Sequence, residues 1–350
     1  EPQEIADVEG CSYTDEGLNC DTEYNYIVKP YKKENEEEVW LEQGEQKLSL
    51  KTGSEEQEES ASNVEVKETE DLKAFGNAVA QMSKSSVATL SKKTTNRVIV
   101  KTNGKEISFD EYNAEQVIKG PNDIYVAQFA DKSDAQYAIG CLNNDDNVKY
   151  AEMDGYAQGC SIEDEGITYK SWGVKAMGAD KYAAWVAKNT DQEIKVAMVD
   201  SGVDSDHPFL VGRIADGGYD FVDGDDDPED EFKHGTQTSG IVVDTTQGVN
   251  VKVLPVRVLD SSVVGTSLFV GNGVRYAADS GAKVINMSLR LEQHSEYVDE
   301  SIRYAVEKGV VVVIAAANNH LNIDENNACP AHVPEAITVG AIDSNYKRGS

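Results

Sequence analysis

The chain is poor in cations, in cysteine and in long apolar runs, and each shortage excludes something. Lysine and arginine number 32 against 63 acidic residues, a formal charge of −31. A surplus of that size repels nucleic acid and anionic lipid, so neither is expected as a partner. No segment approaches the roughly 18 consecutive apolar residues of a membrane helix, and no membrane span is expected. The five cysteines, Cys11, Cys20, Cys141, Cys160 and Cys329, lack the CxxC pairing that holds structural zinc, and no residues are assigned to a metal on that basis. An odd count leaves at least one thiol free or partnered outside the chain. Cys11 and Cys20 are near enough to close a small loop, although spacing does not fix connectivity.

What is present divides along the chain. At 350 residues there is room for more than one domain. Residues 1–96 form an acidic leader with runs such as Glu36-Glu37-Glu38 and few apolar residues, expected to be loosely ordered in part. Within it Leu72, Phe75, Val79 and Met82 recur at helical spacing, which predicts a helix from Asp71 to about Leu90. Residues 97–156 read as a small α+β domain, with strands at 97–101, 124–129 and 148–154 and a helix at 133–142. Gly155, Gly159 and Gly166 then suggest an exposed linker, assigned to 157–170, and from 171 onward the texture changes. Apolar strands at 194–199, 251–259, 284–289, 310–317 and 337–341 alternate with helical patterns. Such alternation predicts a mainly parallel sheet with helices on both faces. In an open sheet of that class, ligands gather at the carboxyl ends of the strands.

Two residues at such positions carry chemistry. Asp200 ends the first of these strands and runs into Ser201-Gly202, where a carboxylate can serve either as a turn residue or as a catalytic group. His234 opens a helix of small residues, Gly235-Thr236-Gln237-Thr238-Ser239-Gly240, which can pack closely while its first side chain faces the strand ends. His207, His294, His320 and His332 stand in polar or loop-like surroundings and read as solvated rings or local hydrogen-bond partners. The loop 220–231 carries Asp223, Asp225, Asp226, Asp227, Glu229 and Asp230, hard oxygen ligands of the sort calcium takes. It lacks EF-hand spacing, and the preferred reading is a solvated acidic loop, since such a cluster repels internally and stays hydrated without an ion.

In order, Val199-Asp200-Ser201-Gly202, His234-Gly235-Thr236, Asn286-Met287-Ser288-Leu289, Ala315-Ala316-Ala317-Asn318, Cys329-Pro330-Ala331 and Ile337-Thr338-Val339-Gly340-Ala341 resemble the motifs of the subtilisin family across about half of the chain. The ending Val148-Lys149-Tyr150-Ala151-Glu152-Met153-Asp154 resembles the last strand of the inhibitory propeptide of that family, whose tail enters the active site. The resemblance implies a subtilisin-like catalytic domain at 171–350 and a ferredoxin-like propeptide domain at 97–156. It implies a serine endopeptidase acting on polypeptides, held as a proenzyme by its own propeptide and cut between Asp154 and Ser171. Asp200 would orient His234, His234 would take the proton of a serine, and Asn318 would donate to the oxyanion. Gly265 on one edge, with Ser288, Leu289 and Arg290 on the other, would line a groove to which substrate adds as a strand. No cofactor is required, and calcium is admitted as in relatives.

The family's Gly-Thr-Ser-x-Ala nucleophile motif follows the oxyanion asparagine, and it is expected beyond Ser350. Gly265-Thr266-Ser267 spells its first letters but precedes Asn286 and Asn318, and Ser267 reads as the N-cap of a helix at 268–278. The start at Glu1 rather than methionine suits a secreted or cell-surface precursor freed of its signal peptide. A family member lacking the nucleophile, binding peptides without cutting them, is the alternative.

Overall fold

The computed structural model describes residues 23–28, 31–34, 37–40, 46–51, 64–82, 94–160, 172–318, 322–323 and 328–348. Two compact units divide the chain at Ser62/Asn63. In the first, β1 (Glu23–Val28) pairs antiparallel with β4 (Gln46–Lys51), and β2 (Tyr31–Glu34) pairs with β3 (Glu37–Trp40). Cys11 and Cys20, and the possible loop between them, lie outside the described residues.

The second unit opens with β5 (Val66–Glu68) and α1 (Leu72–Met82), followed by β6 (Thr94–Thr102), β7 (Gln116–Lys119), β8 (Ile124–Gln128), α2 (Lys132–Leu142) and β9 (Val148–Gly159). The strands order as β9-β6-β8-β7-β5, antiparallel except at β5. Side chains alternate across a strand. One face, with Val98, Val100, Tyr125 and Ala127, closes on α2 through Ala135, Ala138 and Leu142. The other face, with Ile99, Ile118 and Val126, joins the large core of the following residues. The expected domain start at 97 therefore cuts through a folded module. β5 extends its sheet, and the helix expected within the leader supplies Phe75, Val79 and Met82 to its second face. The connection from β6 to β7 carries only a 3-10 turn, Asp110–Tyr112, so α1 comes from ahead of the first long strand.

The remaining residues form α3 (Trp172–Met177), α4 (Ala179–Asn189), β10 (Ile194–Asp200), β11 (Tyr219–Asp220), α5 (His234–Thr245), β12 (Val251–Arg257), β13 (Val264–Thr266), α6 (Ser267–Asp279), β14 (Val284–Met287), β15 (Leu289–Leu291), α7 (Glu296–Glu307), β16 (Val311–Ala315) and β17 (Ile337–Val339). Six strands make one all-parallel sheet, β11-β12-β10-β14-β16-β17. On one face, α6 and α7 bring Leu268, Val274, Val298 and Ile302 against Ala197, Val199, Ile285 and Val312. On the other, Val243 of α5 meets Val196, Met198 and Val253. This is the expected α/β architecture, a parallel sheet with helices on both faces, and the carboxyl ends of β10, β14 and β16 share one edge.

The segment expected as a flexible linker behaves otherwise. β9 continues through Gly155 to Gly159 and there leaves its own sheet to pair with β13 on one side and β15 on the other. Residues 156–159 are thus held by these two ladders, while 161–171, with Gly166, lie outside the described residues.

Candidate active site

β10 is buried through its last five residues because both faces of a parallel sheet are covered. Asp200 ends it fully buried and cannot stay charged there without partners. Oδ1 accepts from the Ser201 backbone N–H at 2.7 Å and faces Nδ1 of His234 at 2.6 Å; Oδ2 lies 3.5 Å from the Thr238 hydroxyl. The ring is itself buried at the first position of α5. The segment entering that helix is fastened by Asp230, which accepts from the Ser201 hydroxyl (2.9 Å), the Lys233 and Thr236 backbone N–H groups (both 2.8 Å) and the Thr236 hydroxyl (2.5 Å). Lys233 takes φ +107°, a strained conformation tolerated only where surroundings enforce it, directly before His234. Gly235 permits the approach: a Cβ there would stand 2.0 Å from the Gly202 carbonyl oxygen.

Burial pulls the pKa of His234 down, but the hydrogen bond and charge of Asp200 outweigh it. With help from the Cys160 backbone and Asp230, they raise it above the ordinary imidazole value. Because Asp200 accepts at Nδ1, the neutral ring carries its proton there and offers a lone pair at Nε2. An imidazole so held can take a proton from a hydroxyl presented at Nε2 and keep the resulting charge beside a carboxylate.

The groove residues assemble beside this pair. Tyr156, Ala157 and Gln158 stand opposite Thr266, Gly265 and Val264, while Ala157, Gln158 and Gly159 stand opposite Leu291, Arg290 and Leu289. The Gly159 N–H donates to Val263 O (3.0 Å), and the Cys160 N–H to Ser288 O (2.8 Å). Arg290 donates to the Gln158 side chain at 2.8 Å. Gly265, Ser288, Leu289 and Arg290 therefore flank a seated strand that runs to Cys160. Burial raises the Cys160 thiol to about 11, so it is protonated near neutrality and is no nucleophile there.

Asn318 is not brought into this network. It stands exposed beyond the end of β16 and, among the described residues, shares no hydrogen bond with Asp200, His234 or Cys160. Ala317 before it holds φ +64°, a conformation glycine takes freely and alanine takes at a cost. Ser267 is not an N-cap. The cap of α6 is Thr266, whose side chain accepts from Phe269 N, while Ser267 is buried with its hydroxyl on Asp154 at 3.0 Å.

Sequence reasoning passed over the carboxylates that seat the module. Asp154 accepts from Leu268 N (2.9 Å) at the start of α6 and from Arg97 (2.6 and 3.0 Å). Glu152 accepts from Ser295 Oγ (2.7 Å), Glu296 N (2.9 Å) and Tyr297 N (3.3 Å) at the start of α7. Each carboxylate satisfies orphan N–H groups and meets the positive end of a helix dipole. Tyr150, two residues earlier on the same strand face, donates to Glu300 of α7 at 3.1 Å. The Glu-x-Asp at the end of the strand motif was the available signal. In the acidic loop, the buried Arg257 binds Asp220 (2.6 Å), Asp223 (2.7 Å) and Glu231 (2.6 Å), so much of that charge is answered from within the chain.

Residues 191–350 match the family model described as the subtilase family, Peptidase_S8. This part of the chain belongs to the subtilase family. It is 43% identical over 164 residues to thermitase of Thermoactinomyces vulgaris, covering 45% of this chain and 57% of that protein. It is 35% identical over 213 residues to a thermophilic serine proteinase of Bacillus sp. (strain AK1), covering 59% and 52%, and 35% identical over 187 residues to subtilisin DY of Bacillus licheniformis, covering 51% and 66%. The chain thus spans about half to two thirds of the length of these relatives. The subtilase segment contains the Asp200–His234 pair and both edges of the groove. No helix among the described residues is long and apolar enough to cross a membrane.

Proposed function

We propose that this chain belongs to a secreted serine endopeptidase in its proenzyme form, with residues 64–160 as the inhibitory propeptide. The observation that carries the reading is the course of Ala157–Cys160. Backbone pairing on both sides holds this extended segment between the two edges of the groove, next to the imidazole that Asp200 orients. A substrate polypeptide would bind in the same way, through main-chain hydrogen bonds and side-chain pockets.

In the complete protein, a serine outside these 350 residues attacks the carbonyl carbon of the residue at the Cys160 position. His234 accepts the serine proton and returns it to the leaving amine, and Asp200 stabilises the imidazolium between the two transfers. Asn318 turns its amide to the developing oxyanion once the nucleophile segment is in place. The first bond cut is then Cys160–Ser161, and the propeptide remains as a bound product until it leaves or is degraded. No metal takes part in this chemistry, and calcium at the acidic loop would be structural.

A serine-directed phosphonate probe applied to the complete, processed protein tests the assignment. Covalent labelling of one serine is expected for the wild type and none for His234→Ala. A processed wild-type protein that stays unlabelled would leave peptide binding without cleavage as the function.

A further inference from the structure

Away from the groove's catalytic end, His294, Asp299 and His332 converge, their ligand atoms all within 4.8 Å of one another. Asp299 lies in the first turn of α7 and is buried; His294 precedes that helix, and His332 lies in the turn that follows β16. Asp299 Oδ2 is 3.2 Å from His294 Nε2 and 2.9 Å from His332 Nε2.

The orientation of the His332 ring fits the role of a ligand. Its Nδ1 is 3.2 Å from the backbone carbonyl oxygen of Ala328, which can only accept, so Nδ1 carries a hydrogen. Nε2 is thereby the nitrogen turned to Asp299 Oδ2, at 2.9 Å. A ring whose far nitrogen is held by a backbone carbonyl is the usual state of a metal-bound histidine. Bonds of about 2.0–2.1 Å to zinc put tetrahedral ligands about 3.3 Å apart, close to the two separations observed. The only cation side chain described beside Asp299 Oδ2 other than the rings is Arg303. It stands at 3.7 Å and is drawn off toward Glu296 (3.1 Å) and Glu335 (3.9 Å).

The geometry points to a divalent transition-metal site, zinc being the best match, with His294 Nε2, His332 Nε2 and Asp299 Oδ2 as ligands and water in the fourth position. Two imidazoles and one carboxylate suit zinc, cobalt or nickel better than calcium. Cys329 lies at the other oxygen of the same carboxylate, Sγ 3.6 Å from Oδ1, and is not among the ligands. The ion would tie the turn at 328–333 to α7. That turn also holds the groove, since Cys329 O accepts from Leu291 N of β15 at 2.9 Å. The site is therefore a staple behind one edge of the peptide groove.

Titration of the metal-free 350-residue chain with zinc chloride in a calorimeter tests this. One equivalent is expected to bind in the micromolar range or tighter, and His294→Ala and His332→Ala should each weaken it by at least about tenfold. His207→Ala and His234→Ala should leave it unchanged. His294 is 41% exposed on its side chain, so its replacement does not endanger the fold. With cobalt, visible bands without thiolate charge transfer are expected. No saturable zinc binding, or binding that survives the double replacement of His294 and His332, would overturn the assignment.

Discussion

Asp200→Asn is expected to lower kcat of the complete enzyme by about 10⁴, the scale of that exchange in another Ser-His-Asp triad, and to lower the pKa of His234 in the 350-residue chain. Both effects have one origin. Burial, the largest influence on the ring, pulls its pKa down, and the carboxylate 2.6 Å away opposes it most. Asparagine keeps a similar shape but removes the charge. It can also present an N–H to Nδ1, favouring the wrong tautomer, with the proton on Nε2 where a lone pair is needed. The sign for stability follows from the raised pKa. The charged pair's contribution is fully present below the ordinary imidazole pKa, near 6.5, and is lost as pH rises through the raised value. Nuclear magnetic resonance titration of the His234 ring and kcat on a peptide substrate check the two halves. An unchanged ring pKa would mean that Asp200 does not govern the imidazole.

Asp154→Ala is expected to destabilise the 350-residue chain by about 3–5 kcal/mol, the usual effect of removing one partner of a buried ion pair. Asp154 is fully buried, Arg97 is buried beside it, and alanine would leave that guanidinium without its carboxylate. The same change also takes an acceptor from Ser267 Oγ and Leu268 N. Asp154→Asn keeps a carbonyl for those two donors and should fall between wild type and alanine. Glu152→Ala, at a partly exposed helix cap, should cost only about 0.5–2 kcal/mol. Urea unfolding monitored by circular dichroism measures all three. A larger loss at Glu152 than at Asp154 would show that dipole capping, not the buried ion pair, dominates the seating of the module.

The order of these two effects also shows what could be read from the sequence. Asp200 and His234 sit at the junctions of regular elements, a strand end and a helix start, where short local patterns identify them. The parallel sheet was legible because its strands are buried on both faces and appear as unbroken apolar runs. The extent of the first module was not. Phe75, Val79 and Met82 show helical spacing, but nothing local says that they cover a sheet formed after them rather than a leader's own small core. Gly155 and Gly159 have the composition of a linker, and only strands from distant segments, Thr94 beside the first and Leu289 beside the second, turn them into ladder positions. The cap of α6 falls at Thr266 rather than at Ser267, although both are good capping residues, and the Ser267 hydroxyl goes to Asp154, more than a hundred positions earlier in the chain. His294 and His332 follow no metal-ligand spacing, and it is the fold that brings them to one carboxylate.

The seated strand and the dyad together make a prediction about one covalent bond. Expression of the complete protein followed by mass determination of its fragments would locate the first cut. The expected products end at Cys160 and begin at Ser161, and neither forms when His234 is alanine. A first cut at any other bond, or the same cut in the His234→Ala protein, would contradict the placement of Cys160 at the point of attack.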